Sequence, residues 1–272
     1  MRFGISIPNA FTDIRVLCDA ACEAEASGWD GFFLWDHINA FDGDTIDPWI
    51  ALAAIAASTS RIRIGTMVTP LARRRPWIVA RQAVTLDLLS NGRVILGVGL
   101  GYPPDKEFAD LGEDPDDRVR AEKLDESLEI IDGLWRGERF AFAGKHFRID
   151  NARFVPRPVQ RPRIPIWVAG MWASRAPFRR AARWDGAFPM KANMDPLTFE
   201  EVGAIKSYVE RHRRSGDAHD FVISRDLPAN AEAARAEAAA YAVAGVTWWI
   251  EGAYDRGELY RKARRVPPLD ER

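Results

Sequence analysis

The 272-residue sequence has little of what marks several classes of protein. Its formal net charge is −1, because 38 Lys and Arg residues nearly balance 39 Asp and Glu residues, and this balance argues against a general role in binding nucleic acid or membrane surfaces. No apolar run approaches the roughly 20 residues that span a bilayer. The chain passes from Met1 into a strand pattern without a signal-like segment. We therefore expect a cytoplasmic protein.

Cysteine and histidine are also scarce. Cys18 and Cys22 fall on one apolar helix face, where we expect two small, buried core residues rather than a redox or metal pair. His37 is one of four histidines, and no second histidine lies at metal-ligand spacing from it. No serine occupies a Gly-x-Ser-x-Gly elbow, so a hydrolytic triad has little support. The basic run 73–75 is expected to be a solvated loop, since no aromatic or basic residues continue it.

What the sequence does contain is a regular alternation of strand and helix patterns. Strand patterns occupy residues 2–8, 31–35, 61–69, 93–99, 164–169, 186–190, 220–224 and 247–251. Helix patterns occupy residues 14–27, 48–58, 76–89, 118–135, 174–183, 198–213, 230–244 and 255–264. Eight strand–helix units predict an α/β protein built as a single (β/α)8 TIM barrel over residues 1–272. Residues 140–149 differ, and their aromatics around Gly144 predict a short hairpin inserted between helix four and strand five.

Functional groups of such a barrel lie where its strands end. The candidates in chain order are Asn9, Asp36, His37, Thr66 to Thr69, Gly99 to Tyr102, Gly170, Met171, Lys191, Arg225, Asp226 and Glu251. His37 is the most distinctive, because imidazole titrates near neutrality and can donate or accept a hydrogen bond to a ring ligand. The alternative interpretation is that His37 only caps the loop after strand two.

Glycines are concentrated at the end of the fourth strand. Gly97, Gly99 and Gly101 do not form the dinucleotide fingerprint, because Pro103, Pro104 and an acidic loop follow where a helix would have to begin. Glycines here let a flat ring or a polar chain lie against the backbone, although a tight turn is the alternative. Near strand five, a glycine turn before a helix N-terminus would suit a phosphate group.

Taken together, these segments resemble the bacterial luciferase-like monooxygenase superfamily, whose members are (β/α)8 barrels that depend on a flavin or on coenzyme F420. The most specific part is 61–112, which contains both the third and the fourth strand end. Further matches occur at residues 108, 111–112, 118, 134–135, 144–147, 156–158, 164–170 and 181–186. The resemblance covers roughly residues 1 to 190 and fades over the last third of the chain.

The resemblance implies roles for matching positions. Met67 and Val68 would form a bulge with a non-prolyl cis peptide behind the cofactor ring, and Trp35-Asp36-His37 matches the Ser/Trp-Asp-His of many F420-using members, in which the histidine contacts the ring and takes part in catalysis. The implied cofactor-binding residues are Asp36, His37, Thr66, Met67, Val68, Gly99, Gly101, Tyr102, Ala169, Gly170 and Met171. The expected substrate-pocket residues are Asn9, Trp35, Lys191, Arg225 and Glu251.

We therefore expect an oxidoreductase in which His37 is the catalytic acid or base. Trp-Asp-His favours coenzyme F420 slightly over FMN, for hydride transfer to or from a small organic substrate or for its monooxygenation. Sugar-phosphate dehydrogenases of the family carry a glutamate where this chain has Tyr102, so glucose 6-phosphate is not the expected substrate. The loop 103–117 would act as a lid. A non-catalytic barrel acting as a partner subunit and a barrel hydrolase are the alternatives, and relatives suggest a homodimer.

Overall fold

The computed structural model describes residues 1–10, 13–172 and 174–268, and a closed parallel barrel organises them. The barrel strands are β1 (Arg2–Ile7), β2 (Gly31–Leu34), β3 (Arg63–Pro70), β4 (Val94–Gly99), β7 (Ile166–Met171), β8 (Gly186–Met190), β9 (Asp220–Ser224) and β10 (Trp248–Gly252). Each pairs with the next in this order, and β10 closes the circle on β1. The strands β5 (Arg139–Ala143) and β6 (Arg148–Arg153) form a separate antiparallel pair.

Helices connect the strands on the outside of the barrel. They are α1 (Ile14–Ala26), α2 (Pro48–Ser58), α3 (Pro76–Leu89), α4 (Pro104–Glu107), α5 (Asp117–Trp135), α6 (Ala176–Ala181), α7 (Phe199–His212), α8 (Ala231–Val243) and α9 (Arg256–Ala263). Side-chain caps fix several of their starts, as where Asp13 accepts the backbone N–H of Val16 at the beginning of α1. Within the described ranges, no helix has the length and apolarity needed to cross a membrane.

The predicted (β/α)8 barrel with its hairpin insertion is confirmed. The hairpin β5–β6 follows α5, and Glu126 of that helix accepts the backbone N–H groups of Lys145, His146 and Phe147 at its turn. An ionised carboxylate has enough lone pairs to satisfy all three donors. The insertion is therefore attached to the outer helix layer and leaves the barrel itself uninterrupted.

Three local predictions are wrong. The loop 103–117 contains the short helix α4 and a 3-10 turn, Ala109–Leu111. The helix predicted at 174–183 is shortened to α6, because Pro177 lies in its first turn and its C-terminal end tightens, with the N–H of Trp184 bonded to the carbonyl of Ala181. The two cysteines of α1 are only partly buried.

A cluster of aromatic side chains packs inside the barrel. The ring centroids of Phe33 and Trp167 lie 5.5 Å apart, and those of Trp167 and Trp248 lie 5.1 Å apart. All three side chains are buried. This cluster fills part of the barrel interior, whereas barrel enzymes place their sites at the C-terminal ends of the strands.

The strands β3 and β4 approach each other unusually closely. A Cβ atom added to Gly65 would overlap the backbone oxygen of Ile95, and one added to Gly97 would overlap the backbone oxygen of Thr66. Because both obstacles are main-chain atoms, they cannot move aside as a flexible side chain can. The absence of a Cβ at both positions therefore sets the geometry of the two strands that carry most of the family resemblance.

We predict that Gly65→Ala destabilises the protein by at least about 2 kcal/mol, because overpacking against backbone forces the strands apart. Gly203→Ala is the matched control, since Gly203 lies within α7 and its added Cβ would meet no atom within 4 Å. Alanine at that helical position should stabilise by about 0.5–1 kcal/mol. Urea denaturation followed by circular dichroism measures both. Equal stability of the two variants would contradict the close approach of the strands.

Candidate active site

A cavity of about 280 Å³ opens at the C-terminal ends of the barrel strands. Its lining is formed by Ser6, Trp35, Met67, Phe188, Met190, Lys191, Met194, Asp195, Pro196, Leu197, Ser224, Arg225, Asp226, Ile250, Gly252 and Tyr254. The lining therefore combines apolar and aromatic surface with a few charged or hydroxyl groups. This composition is typical of sites for organic ligands that have a flat apolar body and polar edges.

The β3 side of the cavity contains a backbone irregularity. The register between β3 and β4 shifts between Thr66 and Thr69, and the Met67–Val68 peptide bond is cis, as the family resemblance implies. Met67 lines the cavity. A Cβ added to Gly99 would lie only 2.8 Å from Cγ2 of Val68, so glycine at this position leaves room for the bulge.

Trp35 forms an aromatic wall beside this bulge. Its indole Nε1 donates a hydrogen bond of 2.9 Å to Oγ of Ser6, and this bond restricts the orientation of the indole ring. The Tyr254 ring packs edge-on against it, with the ring centroids 6.1 Å apart. The ring centroid of His37 lies 5.7 Å from that of Trp35. The histidine is therefore next to the cavity wall.

The loop that carries His37 is held by Asn9. The backbone N–H of His37 donates to Oδ1 of Asn9 at 3.0 Å, and Nδ2 of Asn9 donates to the backbone oxygens of His37 at 2.9 Å and of Ile46 at 2.6 Å. Asn9 is fully buried. The side chain of His37 remains 18% exposed, which leaves part of the imidazole accessible to a ligand.

The loop is also held by the carboxylate of Glu107, the last residue of α4. It accepts the backbone N–H groups of Ile38 at 3.0 Å and Asn39 at 2.8 Å, and its Oε2 lies 2.6 Å from Nη1 of Arg73. Burial alone raises the pKa of Glu107, but the interactions with His37, Arg73 and the two backbone donors outweigh it and hold the pKa at about 2. The group is therefore an anion at every pH at which the protein would act.

A second buried carboxylate, Asp36, completes the charged group. Its Oδ1 accepts hydrogen bonds from Arg73 at 3.1 Å and Arg74 at 2.7 Å, and its Oδ2 accepts one from Thr69 at 2.8 Å and one from Trp49 at 3.3 Å. Arg73 therefore joins the two carboxylates. We refer to Asp36, Glu107, Arg73 and Arg74 as the buried charge cluster.

The expectation that residues 73–75 form a solvated loop is wrong for the first two arginines. The side chains of Arg73 and Arg74 are only 2% and 15% exposed. The reason is topological, because Leu34 of β2 pairs with Thr66 of β3, so the residues that follow these neighbouring strands meet at the same end of the barrel. The 3-10 turn Leu71–Arg73 then brings the arginines to the carboxylate of Asp36.

Four of the predicted site residues line the cavity, namely Trp35, Met67, Lys191 and Arg225. Lys191 pairs with Glu201 at 3.3 Å and Arg225 pairs with Glu237 at 2.8 Å, so both cations are partly neutralised.

The side chains of two predicted substrate-pocket residues, Asn9 and Glu251, are bonded within the protein. Both are fully buried, and Glu251 accepts the backbone N–H of Leu227 and pairs with Arg265. The side chains of two predicted cofactor-binding residues, Asp36 and Thr66, are also bonded internally, the latter through a hydrogen bond of 3.0 Å to the carbonyl of Gly97.

The remaining predicted cofactor-binding residues lie around the bulge and at the ends of β4 and β7. Ala169 lies 3.6 Å from a Cβ added to Gly99. Gly170 adjoins Pro177 at the start of α6, where an added Cβ would overlap the proline ring. Tyr102 is 70% exposed. These positions are not part of the cavity lining.

Sequence reasoning missed several residues that build the site. Glu107, Arg73 and Arg74 hold the His37 loop, while Ser6 and Tyr254 fix the Trp35 ring. One usable signal was present, since Arg73 follows the end of strand three and Asp36 follows the end of the neighbouring strand two. Among the residues that the structure describes, no three His, Cys, Asp or Glu side chains are grouped so that they could hold a metal ion.

Comparison with known proteins agrees with this geometry. A family model described as luciferase-like monooxygenase matches residues 1–271. The chain belongs to the luciferase-like monooxygenase family. It is 31% identical over 244 residues to an F420-dependent glucose-6-phosphate dehydrogenase from Nakamurella multipartita, which covers 87% of this chain and 70% of that protein.

Solved structures share the fold of this luciferase-like chain. An F420-dependent secondary alcohol dehydrogenase in complex with an F420–acetone adduct aligns over 99% of both chains, with a TM-score of 0.80 and 17% identity. The FMN-bound oxygenating constituent of 3,6-diketocamphane monooxygenase from Pseudomonas putida aligns over 84% of this chain and 67% of that chain, with a TM-score of 0.67 and 18% identity. The family membership that the sequence suggested is confirmed.

We predict that Asp36→Asn lowers the free energy of unfolding by about 3–5 kcal/mol, because it removes the charge that compensates two arginines in the interior. Asp110→Asn is the control, since Asp110 pairs with Lys106 on the surface and both side chains are about half exposed. This control should change stability by less than about 0.5 kcal/mol. Chemical denaturation measures both values, and a loss below about 1 kcal/mol for Asp36→Asn would contradict the burial of the cluster.

The pKa of Glu107 predicts a particular dependence of stability on pH. Because folding lowers this pKa from 4.5 to about 2, ionisation stabilises the folded protein above about pH 4.5, and this contribution disappears as the pH falls towards 2. The free energy of unfolding of the wild type, relative to Glu107→Gln, should therefore decrease by about 2 kcal/mol between about pH 6 and about pH 3. Denaturation at a series of pH values measures it. A difference that does not change with pH would contradict the prediction.

Proposed function

We propose that this luciferase-like chain is an oxidoreductase that binds coenzyme F420 at the C-terminal mouth of the barrel and transfers a hydride to or from a small organic substrate. The observation that carries the proposal is the placement of His37 beside Trp35, which lines a cavity together with Met67 of the bulge. The proposal is supported by the relative that is named as an F420-dependent dehydrogenase.

The residues at the cavity fit a flat tricyclic cofactor. Met67 and Trp35 offer apolar surface at the cavity, and glycine at position 99 makes room for the Val68 side chain of the bulge. Gly170 and Met171, at the end of β7, would lie towards the phosphate-bearing tail. When bound, F420 supplies the ring carbon that accepts or gives up the hydride, so the hard chemistry belongs to the cofactor.

The protein would supply orientation and proton transfer. We assign His37 as the acid or base at the substrate oxygen, taking a proton when an alcohol is oxidised and returning it when a carbonyl is reduced. Trp35, Phe188 and Ile250 would exclude water from the reacting atoms. The walls favour a compact, mainly apolar alcohol or carbonyl compound, and Lys191 and Arg225 would contact polar groups at its far end.

Monooxygenation with FMN is the second candidate function. The observation that favours it is the likeness of the fold to an FMN-bound monooxygenase component. Trp35-Asp36-His37 supports F420 instead, because this tripeptide resembles that of F420-using members of the family. The alternative of a non-catalytic partner subunit is not favoured, because the relative from Nakamurella multipartita and the structurally similar secondary alcohol dehydrogenase are both named as enzymes.

We predict that the purified chain binds oxidised F420 with a dissociation constant in the micromolar range or below, measured by quenching of F420 fluorescence, and that FMN binds more weakly. Micromolar binding of FMN without binding of F420 would reverse the cofactor assignment.

His37→Ala should lower kcat for 2-propanol or a related secondary alcohol by about 10²- to 10⁴-fold, the usual contribution of a general acid or base. His212→Ala is the control, because His212 lies at the end of α7 and bonds to the backbone of Tyr208.

A further inference from the structure

We infer that Glu107 is a positioning residue that fixes the tautomer of His37, holding the proton on Nδ1 and leaving Nε2 for the reacting substrate. The catalytic consequence of this inference rests on the proposed function, whereas the tautomer itself does not. Glu107 lies outside the cavity lining and takes part in the reaction only through His37.

The contact between the two side chains sets the direction of the proton. Nδ1 of His37 lies 3.5 Å from Oε1 of Glu107 and is buried, and no described residue offers it a closer hydrogen-bond partner. A neutral imidazole carries its proton on one nitrogen and presents a lone pair on the other, while an ionised carboxylate can only accept. Two facing lone pairs would repel each other, so the nitrogen beside Glu107 is the one that carries the proton.

The distance of 3.5 Å between Nδ1 of His37 and Oε1 of Glu107 is longer than that of a well-formed hydrogen bond. Catalytic hydrogen bonds are often long in a protein without its ligand and shorten when the ligand binds. A small rotation of the His37 ring would close the gap, since Glu107 is held by other contacts. The rings of Trp35 and Phe41, with centroids 5.7 Å and 5.1 Å from that of His37, limit such rotation and keep Nδ1 on the side of the carboxylate.

The carboxylate itself cannot easily change partners. The backbone donors of Ile38 and Asn39 and the guanidinium of Arg73 fix both of its oxygens. In the described part of the chain, charged groups that contact the His37 loop include Glu107 from α4, Arg73 from the turn after β3, and Asp36 on the same loop as the histidine. Asp36 is bound by two arginines, so Glu107 is the acceptor that faces the ring.

The position of Glu107 also links His37 to the wall that the family resemblance places beside the cofactor ring. Glu107 ends α4, and only Pro103 separates Tyr102 from the start of this helix. Arg120 of α5 holds this stretch by donating to the backbone oxygens of Leu100 at 3.0 Å and Gly101 at 2.8 Å. The ring wall and the support of the histidine are therefore parts of one short segment.

Nitrogen-15 NMR of the full chain, with labelled histidine, tests the inference without cofactor. At a pH at which the imidazole is neutral, the wild type should give His37 signals of the Nδ1–H form, assigned by their loss in His37→Ala. In Glu107→Gln, whose amide can donate as well as accept, the signals should shift towards the Nε2–H form. A wild-type spectrum of the Nε2–H form would overturn the inference even if the variant failed to fold.

Glu129→Gln is the matched control, because Glu129 lies in α5, outside the loop 103–117, and pairs with Arg183 at 2.9 Å on the surface. It should keep the wild-type spectrum and activity. In Glu107→Gln, kcat should fall by at least about 10-fold, since an altered tautomer costs a triad enzyme far more than that. The affinity for F420 should remain within about 2-fold. Parallel losses of kcat and of F420 affinity would indicate a merely structural role.

The NMR spectrum and the measurements of F420 binding and kcat distinguish failure of this inference from failure of the proposed function. If the Nδ1–H form depends on Glu107 but no variant binds F420, the proposed function fails and the structural inference stands. If the wild type binds F420 and oxidises 2-propanol while the tautomer is unchanged in Glu107→Gln, the positioning role of Glu107 is wrong and the proposed function stands.

Discussion

The arrangement of the site depends on two carboxylates that share an arginine in the protein interior. A buried guanidinium is costly to desolvate, and the cost is offset only where anions and hydrogen-bond acceptors surround it. Arg73 finds both, with Asp36 on one side and Glu107 on the other. These groups come from the ends of β2 and β3 and from α4. Removal of any one of them leaves an uncompensated charge in the interior. The cluster thereby fixes three separate segments of chain relative to one another.

The geometry of the barrel makes that cluster possible. Adjacent parallel strands end on the same side, so short extensions beyond β2 and β3 meet without a long connection. The close approach of β3 and β4, where Gly65 and Gly97 have no side chain to separate them, brings the segment that contains Glu107 near the same end. Packing in the strands and charge in the loops therefore act on the same part of the barrel.

The sequence was informative wherever the signal was local. The helices α2 and α3 were predicted to their final residues, because a proline marks the first turn of each and polar or turn-forming residues follow. The helix α4 was missed, since four residues that start at a proline carry no periodic pattern and Glu107 finds its partners in distant segments. Arg73 was misjudged for the same reason, because Asp36 is 37 residues away in the sequence. Likewise, Tyr254 belongs to the last third of the chain, where the family resemblance fades.

The aromatic cluster of Phe33, Trp167 and Trp248 is buried inside the barrel, and each of the three rings packs against the other two. Truncation of one ring removes contacts from both of its neighbours. The energetic effects of substitutions at these three positions should therefore not add up, because the rings share the same contacts.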